Sequence, residues 1–334
     1  MNAIIWTKYG PPRGLIFQEV DRPAPKTDEI LIKVHATSVT AGDCEMRRLG
    51  LPLSLSLPMR VYAGFFKPRR INILGQEFSG EVAEIGEQVH NYHIGDPVFG
   101  TTGFKFGAYA EYICLPSEPG DAQGVNTSMP AGIPFAEAAV LPTAGMEALH
   151  YIRESNLQPG HRVLVIGGGG SIGTYAIQLA KNADAEVTGV DSAEKLDLMR
   201  ALGADHLIDY AADDYLSSNE RYDLIIDLVG RHSILCRLKL LKPGGRYFLA
   251  FAKIRHILLS GLTAITSGKK LLIQSSAQKK EDLVLLAELL ETGKLKSVID
   301  RQFHLAHAAD AHIYAETGKK KGNISIIVVP ESGS

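Results

Sequence analysis

Gly168, Gly170 and Gly173 lie in the stretch "VLVIGGGGSIGTYAIQLAK", Val163 to Lys181. Four apolar residues precede the glycines and a helix-like pattern follows them. This is the GxGxxG spacing between a strand and a helix, where a tight turn brings backbone N–H groups up to a phosphate. Gly168 is assigned the tight turn, Gly170 the close approach to a pyrophosphate, and Gly173 the packing of helix on sheet. A turn with no ligand is the plainer alternative, but the next strand, "EVTGVD", ends in an acid. Asp191 lies 18 residues beyond Gly173 and 23 beyond Gly168. That brackets the ~20 expected for the carboxylate that holds the adenosine ribose of a dinucleotide. A carboxylate there accepts from a 2′-hydroxyl and repels a 2′-phosphate, which favours NADH over NADPH. Lys195, one helical turn on, either offsets a phosphate's charge or is a solvated helix residue.

The turn needs a parallel sheet around it, and the sequence supplies one. "RVLVIG", "EVTGVD", "HLIDY", "YDLIIDLVG", "RYFLAF" and "KLLIQSS" read as strands. Helical segments Ser171–Ala183 and Ala193–Leu202 alternate with them, the βαβ pattern of a doubly wound Rossmann sheet. "PFAEAAVLPTAGMEALHYI" is helical with a break at Pro142, and "EDLVLLAELLETG" is a helix capped at Gly293. The N-terminal third has a different rhythm. "AIIWTKY", "LIFQEV", "EILIKVHATSV", "FSGEVAEIG", "PVFGTT" and "AYAEYICL" are short strand-like runs bounded by Gly, Pro and Asp, suggesting a partly open β-barrel. The Pro-, Gly-, Ser- and Asn-rich stretch from Pro116 to Pro134 marks a domain boundary. The tail "GNISIIVVP" is a strand that rejoins the first domain. The expected fold is α/β: residues 126–275 form the dinucleotide-binding domain, and 1–125 with 276–334 form the other.

Composition narrows the partners. The chain has 334 residues and a formal net charge of −2, with no long run of one sign, so nucleic-acid binding is not expected. Lys319–Lys321 reads as a solvated turn rather than a targeting signal. The three cysteines, Cys44, Cys114 and Cys236, form no CxxC pair, which fits a reduced, cytoplasmic compartment. The most apolar stretch, "RHILLSGLTAITSG", is interrupted by Gly261 and too short for a membrane span.

Taken in order, "ILIKVHATSVTAGD", "LGQEFSGEVAEIGEQV", "IGDPVFG", "AAVLPTAGMEALHY", "VLVIGGGGSIGTYAIQLAK", "LGADHLIDY" and "LKPGGRY" resemble one family. It is the medium-chain dehydrogenase/reductase superfamily, specifically its zinc-free, quinone-oxidoreductase-like branch. The resemblance covers nearly the whole chain. It implies a GroES-like catalytic domain built from both chain ends, a Rossmann domain between them, and an active site in the cleft. It also implies that Thr143 contacts the nicotinamide side of the cofactor, and that Gly168, Gly170, Ser171 and Ile172 hold the pyrophosphate. Asp191, Lys195 and Tyr210 would surround the adenosine ribose. Val229, Ala250 and Phe251 would line the cofactor, and Asn323 would close over it. Zinc-dependent relatives carry cysteine at the position of Thr40 and histidine at that of Gln76, and both residues here are poor zinc ligands. The pairs His90/His93 and His304/His307 lack a third ligand at useful spacing and read as surface or partly buried histidines.

Hydride addition to a quinone or conjugated enone needs less electrophilic help than alcohol chemistry does. The developing charge falls on an oxygen whose conjugate acid is comparatively acidic, so hydrogen-bond donors suffice. Asp43 is the acidic candidate, or else a cap for the helix "CEMRRLG". Thr40 is either a donor to substrate oxygen or a strand-end residue. Tyr62 is either a donor or packing. The apolar segment Leu49–Phe66 is a substrate wall or lid, or packs on its own barrel or on a partner subunit. The expected function is NAD(P)H-dependent reduction of a small apolar quinone or enone without zinc, by a homodimer paired through its Rossmann domains. A zinc-free alcohol or aldehyde dehydrogenase and a cofactor-binding sensor or structural protein with little turnover are the alternatives.

Overall fold

The computed structural model describes residues 1–50, 53–120, 123–230, 234–250, 268–273 and 276–329, the side chains of 53–55 excepted. Phe251 lies outside these residues, as does nearly all of the apolar stretch after it. The chain divides into two compact units. One comprises Met1–Thr143, Gln278–Glu291 and Ile299–Ser334; the other comprises Ala144–Ala277 and Thr292–Val298.

In the first unit, β1 (Asn2–Trp6) and β2 (Leu15–Glu19) pair antiparallel. A larger sheet contains β3 (Glu29–Ser38), β4 (Glu77–Ile85), β5 (Pro97–Thr101), β6 (Tyr112–Pro116) and β7 (Val125–Ser128). The strand at its centre, β3, is buried along almost its whole length and pairs antiparallel with β4 and β6. Its apolar residues Ile30, Ile32 and Val34 point into a core with Trp6, Phe78 and Tyr109.

The second unit is the expected parallel sheet. Its strands are β8 (Arg162–Ile166), β9 (Glu186–Asp191), β10 (His206–Asp209), β11 (Tyr222–Asp227), β12 (Leu241–Leu249) and β13 (Lys270–Leu272). Among the described residues their order is β10-β9-β8-β11-β12-β13, every pairing parallel. The β8 sequence RVLVI is buried from Val163 to Ile166, as expected of a strand covered on both faces. The chain then returns to the first unit. There β14 (Ile299–His304) pairs with β15 (Asn323–Ile327), and β15 adds antiparallel to β3, so the tail does rejoin that sheet.

The first unit runs on to Thr143, and the stretch read as the domain boundary contains strand β7. β7 pairs with β5, and the Met129 N–H donates to the Pro97 carbonyl at 2.8 Å. Helices α1 (Ala41–Arg48), α2 (Leu53–Ala63) and α3 (Phe135–Ala139) belong here as well. Ser79 fixes α3 by donating to the Phe135 carbonyl at 2.6 Å. Helix α4 (Pro142–Glu154) begins at the expected break, and α5 (Ser171–Asn182) follows the glycines. The segment Leu49–Phe66, read as a substrate wall or lid or as packing, holds α2. Ser56 and Ala63 are buried on one face of it, with Met59 and Tyr62 packed on the core, while Leu57 and Val61 on the other face are exposed.

Candidate active site

The glycine turn is built at the C-terminal end of β8. Gly167 carries the left-handed backbone (φ +87°), so the tight turn falls one residue before Gly168, to which the sequence had assigned it. Gly168 serves close packing instead: a Cβ there would lie 2.6 Å from Met199 Sδ and 3.1 Å from Ile177 Cδ1, so those side chains would have to shift. At Gly173 a Cβ would lie 2.7 Å from the Gly168 Cα, so the first turn of α5 rests directly on the loop backbone. Gly170 is the contrast. It is the N-cap of α5, its φ is −89°, and the nearest atom to a Cβ there is the Gly167 carbonyl at 3.4 Å. Space therefore remains open beside the helix N-terminus, where Ser171 and Ile172 are half-buried and the helix dipole favours an anion.

Asp191 closes the turn from the next strand. One carboxylate oxygen accepts the Gly169 N–H at 3.0 Å and the other accepts the Ser192 N–H at 2.8 Å. Lys195 Nζ lies 3.3 Å from the Asp191 carboxylate, and both side chains are buried. Lys195 is thus not a solvated helix residue. Its methylenes pack where Gly169 has no side chain, and its ammonium neutralises the acid expected to repel a phosphate.

Tyr210 is half exposed; its N–H donates to the Asp191 carbonyl at 3.2 Å. Val229 follows β11, and its Cγ2 would lie 2.9 Å from a Cβ on Gly167. The Ala250 N–H donates to the Asp227 carbonyl at 3.1 Å. The C-terminal ends of β8 to β12 therefore bring Gly168, Gly170, Asp191, Lys195, Tyr210, Val229 and Ala250 to one edge of the sheet. Asp227, which the sequence reading missed, organises this edge. It is fully buried, accepts the N–H groups of Val229 and Gly230 at 3.1 and 3.0 Å, and is paired with Arg237. The acid before a Leu-Val-Gly turn was the available signal.

In the first unit, Thr40 is the N-cap of α1 and Asp43 completes a capping box. Thr40 Oγ1 accepts the Asp43 N–H at 2.9 Å and lies 2.7 Å from Asp43 Oδ2 and 3.0 Å from Gln76 Oε1. Asp43 is fully buried; its carboxyl also accepts the N–H groups of Thr40 at 3.0 Å and Gly75 at 3.1 Å. Burial pushes its pKa up to about 6 against these donors. Asp43 is therefore a cap, and it also forms one end of a hydrogen-bonded row, Asp43–Thr40–Gln76. Thr40 and Gln76 are only half-buried.

Glu77, next to Gln76, was not singled out in the sequence. It is buried and accepts the Thr143 N–H at 2.6 Å and the Ser38 hydroxyl, while burial raises its pKa to about 7. It caps the first turn of α4 from another strand. The Thr143 hydroxyl is buried with no well-formed hydrogen bond among the described residues. Asn323 is buried at the start of β15. Tyr62 donates to the Phe104 carbonyl at 3.4 Å, with the Arg70 guanidinium 5.3 Å from its ring centre. Tyr62 packs against the core of the first unit, and among the described residues no hydrogen bond joins it to the Thr40 row. His93 lies beside Asp96, His304 accepts the Ala306 N–H of its own turn, and His307 lies 3.1 Å from the Asp310 carboxylate; among the described residues no three His, Cys, Asp or Glu are placed to hold a metal ion.

A β-rich unit joined to a parallel dinucleotide-type sheet, with a glycine turn at its centre, defines a dehydrogenase-like oxidoreductase. Residues 26–119 match the family model for an alcohol dehydrogenase GroES-like domain, and residues 202–326 match that for a zinc-binding dehydrogenase. The chain is 31% identical to a 2-methylene-furan-3-one reductase of Solanum lycopersicum, over 99% of this chain and 80% of that one. It is 29% identical to a chloroplastic NADPH-dependent alkenal/one oxidoreductase of Arabidopsis thaliana, over 99% and 80%. The solved quinone oxidoreductase of Coxiella burnetii superposes with a TM-score of 0.83 at 30% identity, covering 98% of this chain and 99% of that one. The chain belongs to the medium-chain dehydrogenase/reductase superfamily, and its relatives there are quinone and enone oxidoreductases. It is an oxidoreductase.

Proposed function

We propose that this protein reduces small apolar quinones or conjugated enones with NAD(P)H and without a catalytic metal. The Asp43–Thr40–Gln76 row carries this reading: two neutral side chains stand where zinc-dependent relatives place cysteine and histidine, and they bond to each other at 3.0 Å. Neither is a strong zinc ligand, but both can donate a hydrogen bond to oxygen. The glycine turn fits the pyrophosphate of a dinucleotide, since the space beside Gly170 is one that a side chain would fill. The buried Thr143 hydroxyl, beside the Glu77 carboxyl, fits a contact to the nicotinamide end, and Asn323 a closing contact. Bound NAD(P)H supplies the hydride.

The protein's own chemistry is then proton supply. As the substrate oxygen gains charge, Thr40 gives it the hydroxyl proton and takes one from protonated Asp43. The buried carboxylate left behind is held by the N–H groups of Thr40 and Gly75. Above pH 6 Asp43 is increasingly ionised and holds the Thr40 proton for itself, so turnover falls.

The Asp191–Lys195 pair presents little net charge, so both NADH and NADPH are accepted. A cytoplasmic homodimer remains our reading of the assembly. Among the described residues β13 lies at one edge of the parallel sheet, and two-fold pairing there would cover it. Oxidation of NADH and NADPH against a panel of quinones, enones and saturated aldehydes, with metal analysis of the same sample, tests the proposal. Turnover with conjugated acceptors and well below one zinc per chain supports it. Turnover confined to saturated aldehydes overturns it.

A further inference from the structure

Among the described large apolar residues the two most exposed are Phe66 (89%) and Val61 (70%), and they belong to one surface. Leu57 and Val61 are one helical turn apart on the outer face of α2. Phe65 and Phe66 follow the helix, their rings 5.0 Å apart and edge-to-face. Phe104, also exposed, is joined to α2 by the Tyr62 hydroxyl at its carbonyl. The display is held in place rather than loose. The N–H groups of Arg69 and Arg70 return to the Ala63 carbonyl at 2.9 and 3.0 Å, and Tyr9 donates to the Gly64 carbonyl. The loop thus presents two phenylalanines to solvent at its tip.

Charge says what covers them. Between Glu45 and Glu77 the sequence contains no acid and six basic residues. Arg47 and Arg48 pair with Glu316. Arg60, Lys67, Arg69 and Arg70 form no ion pair among the described residues, although the whole chain is slightly acidic. Arg60 donates to the Phe65 carbonyl at 3.2 Å, which places cation and phenylalanine side by side. Exposed aromatic and aliphatic side chains flanked in the chain by cations that form no ion pair, two of them stacked on the Tyr9 and Tyr62 rings, match the boundary between the acyl chains and headgroups of an anionic bilayer. Among the described residues no helix is long and apolar enough to cross a membrane, so the contact would be peripheral.

We propose that Leu57, Val61, Phe65 and Phe66, with the basic residues around them, dock this protein on an anionic lipid surface. Seated there, the protein would meet quinones too apolar for water; that consequence, unlike the docking itself, rests on the function proposed above. The test is co-sedimentation of the full chain with vesicles of phosphatidylcholine, with and without about 30% phosphatidylserine. Binding to the anionic vesicles at micromolar lipid, weakened by salt, is expected. It should fall at least tenfold in F65S/F66S and in K67E/R69E, all at exposed positions where the fold is retained, as circular dichroism would verify. Absence of binding by the wild-type chain, or binding that neither variant reduces, overturns the proposal. So does a dimer in analytical ultracentrifugation that F65S/F66S converts to monomer, because a second copy would then own this face. Reduction of a water-soluble quinone, measured without vesicles, tests the catalytic reading separately.

Discussion

Gln76 can reach Thr40 because Gly42 has no side chain: a Cβ on Gly42 would overlap the Gln76 carboxamide oxygen. Gly42→Ala should therefore displace the end of a flexible side chain and leave the backbone in place. We expect a melting temperature close to wild type, an unchanged nucleotide Kd and a kcat lower by about tenfold. Steady-state kinetics with calorimetry checks this; a lost nucleotide affinity would show that the row serves the fold of the whole site instead.

Thr40→Val keeps the shape and removes the hydroxyl. It should lower kcat by about a hundredfold, the usual worth of a positioned proton donor. Thr40→Ser should restore most of the activity. A pH profile of the wild type should fall as pH rises through about 6, the value to which burial pushes Asp43, and that limb should vanish in Asp43→Asn.

Stability should follow pH in the same direction. Asp43 and Glu77 both titrate higher in the folded chain than in the unfolded one, so their ionisation opposes folding. The stability they contribute is fully present below about pH 4. It is lost as pH rises through about 6 for Asp43 and about 7 for Glu77. Glu77→Gln keeps an acceptor for the Thr143 N–H and a donor toward Ser38, and should flatten the upper part of that slope. Urea melts at pH 5 and pH 8 measure it.

The glycines of the turn should separate into two classes. At Gly173 a Cβ meets the Gly168 backbone, so Gly173→Ala should lower the melting temperature and nucleotide binding together. At Gly170 the nearest atom is 3.4 Å away and φ is ordinary, so Gly170→Ala should fold normally and weaken nucleotide binding by about tenfold, roughly 1.4 kcal/mol. Equal effects on folding would contradict this division.

Lys195→Met should leave Asp191 without its counter-charge. The ratio of NADPH to NADH affinity should then fall by about tenfold, again roughly 1.4 kcal/mol. An unchanged ratio would mean that the loop shape, not this pair, sets the preference.

The parallel sheet was legible because continuous apolar runs such as RVLVI alternate with helical periodicity, and β9, β10 and β11 each end on an aspartate. β7 was not, since Val125–Ser128 has little apolar content and is a strand only because β5 offers it a partner. The GxGxxG motif located the turn, but not which glycine carries the left-handed backbone; Gly167 precedes the motif, and its N–H donates to the Val190 carbonyl at 2.8 Å, a partner on another strand. Thr40 and Asp43 could be nominated from sequence. Their bond to Gln76, and the role of Glu77 behind Thr143, depend on strand β4 lying beside β3, a contact that no local spacing announces.

The central claim is hydride transfer to conjugated carbon with a proton supplied through Thr40. The most direct measurement uses NAD(P)H deuterated at the transferred position, an open-chain enone, and mass spectrometry with NMR of the product. The account predicts one deuterium on the carbon β to the carbonyl, a solvent-derived proton on the α carbon, and an intact carbonyl. Deuterium on the carbonyl carbon of an allylic alcohol would contradict it.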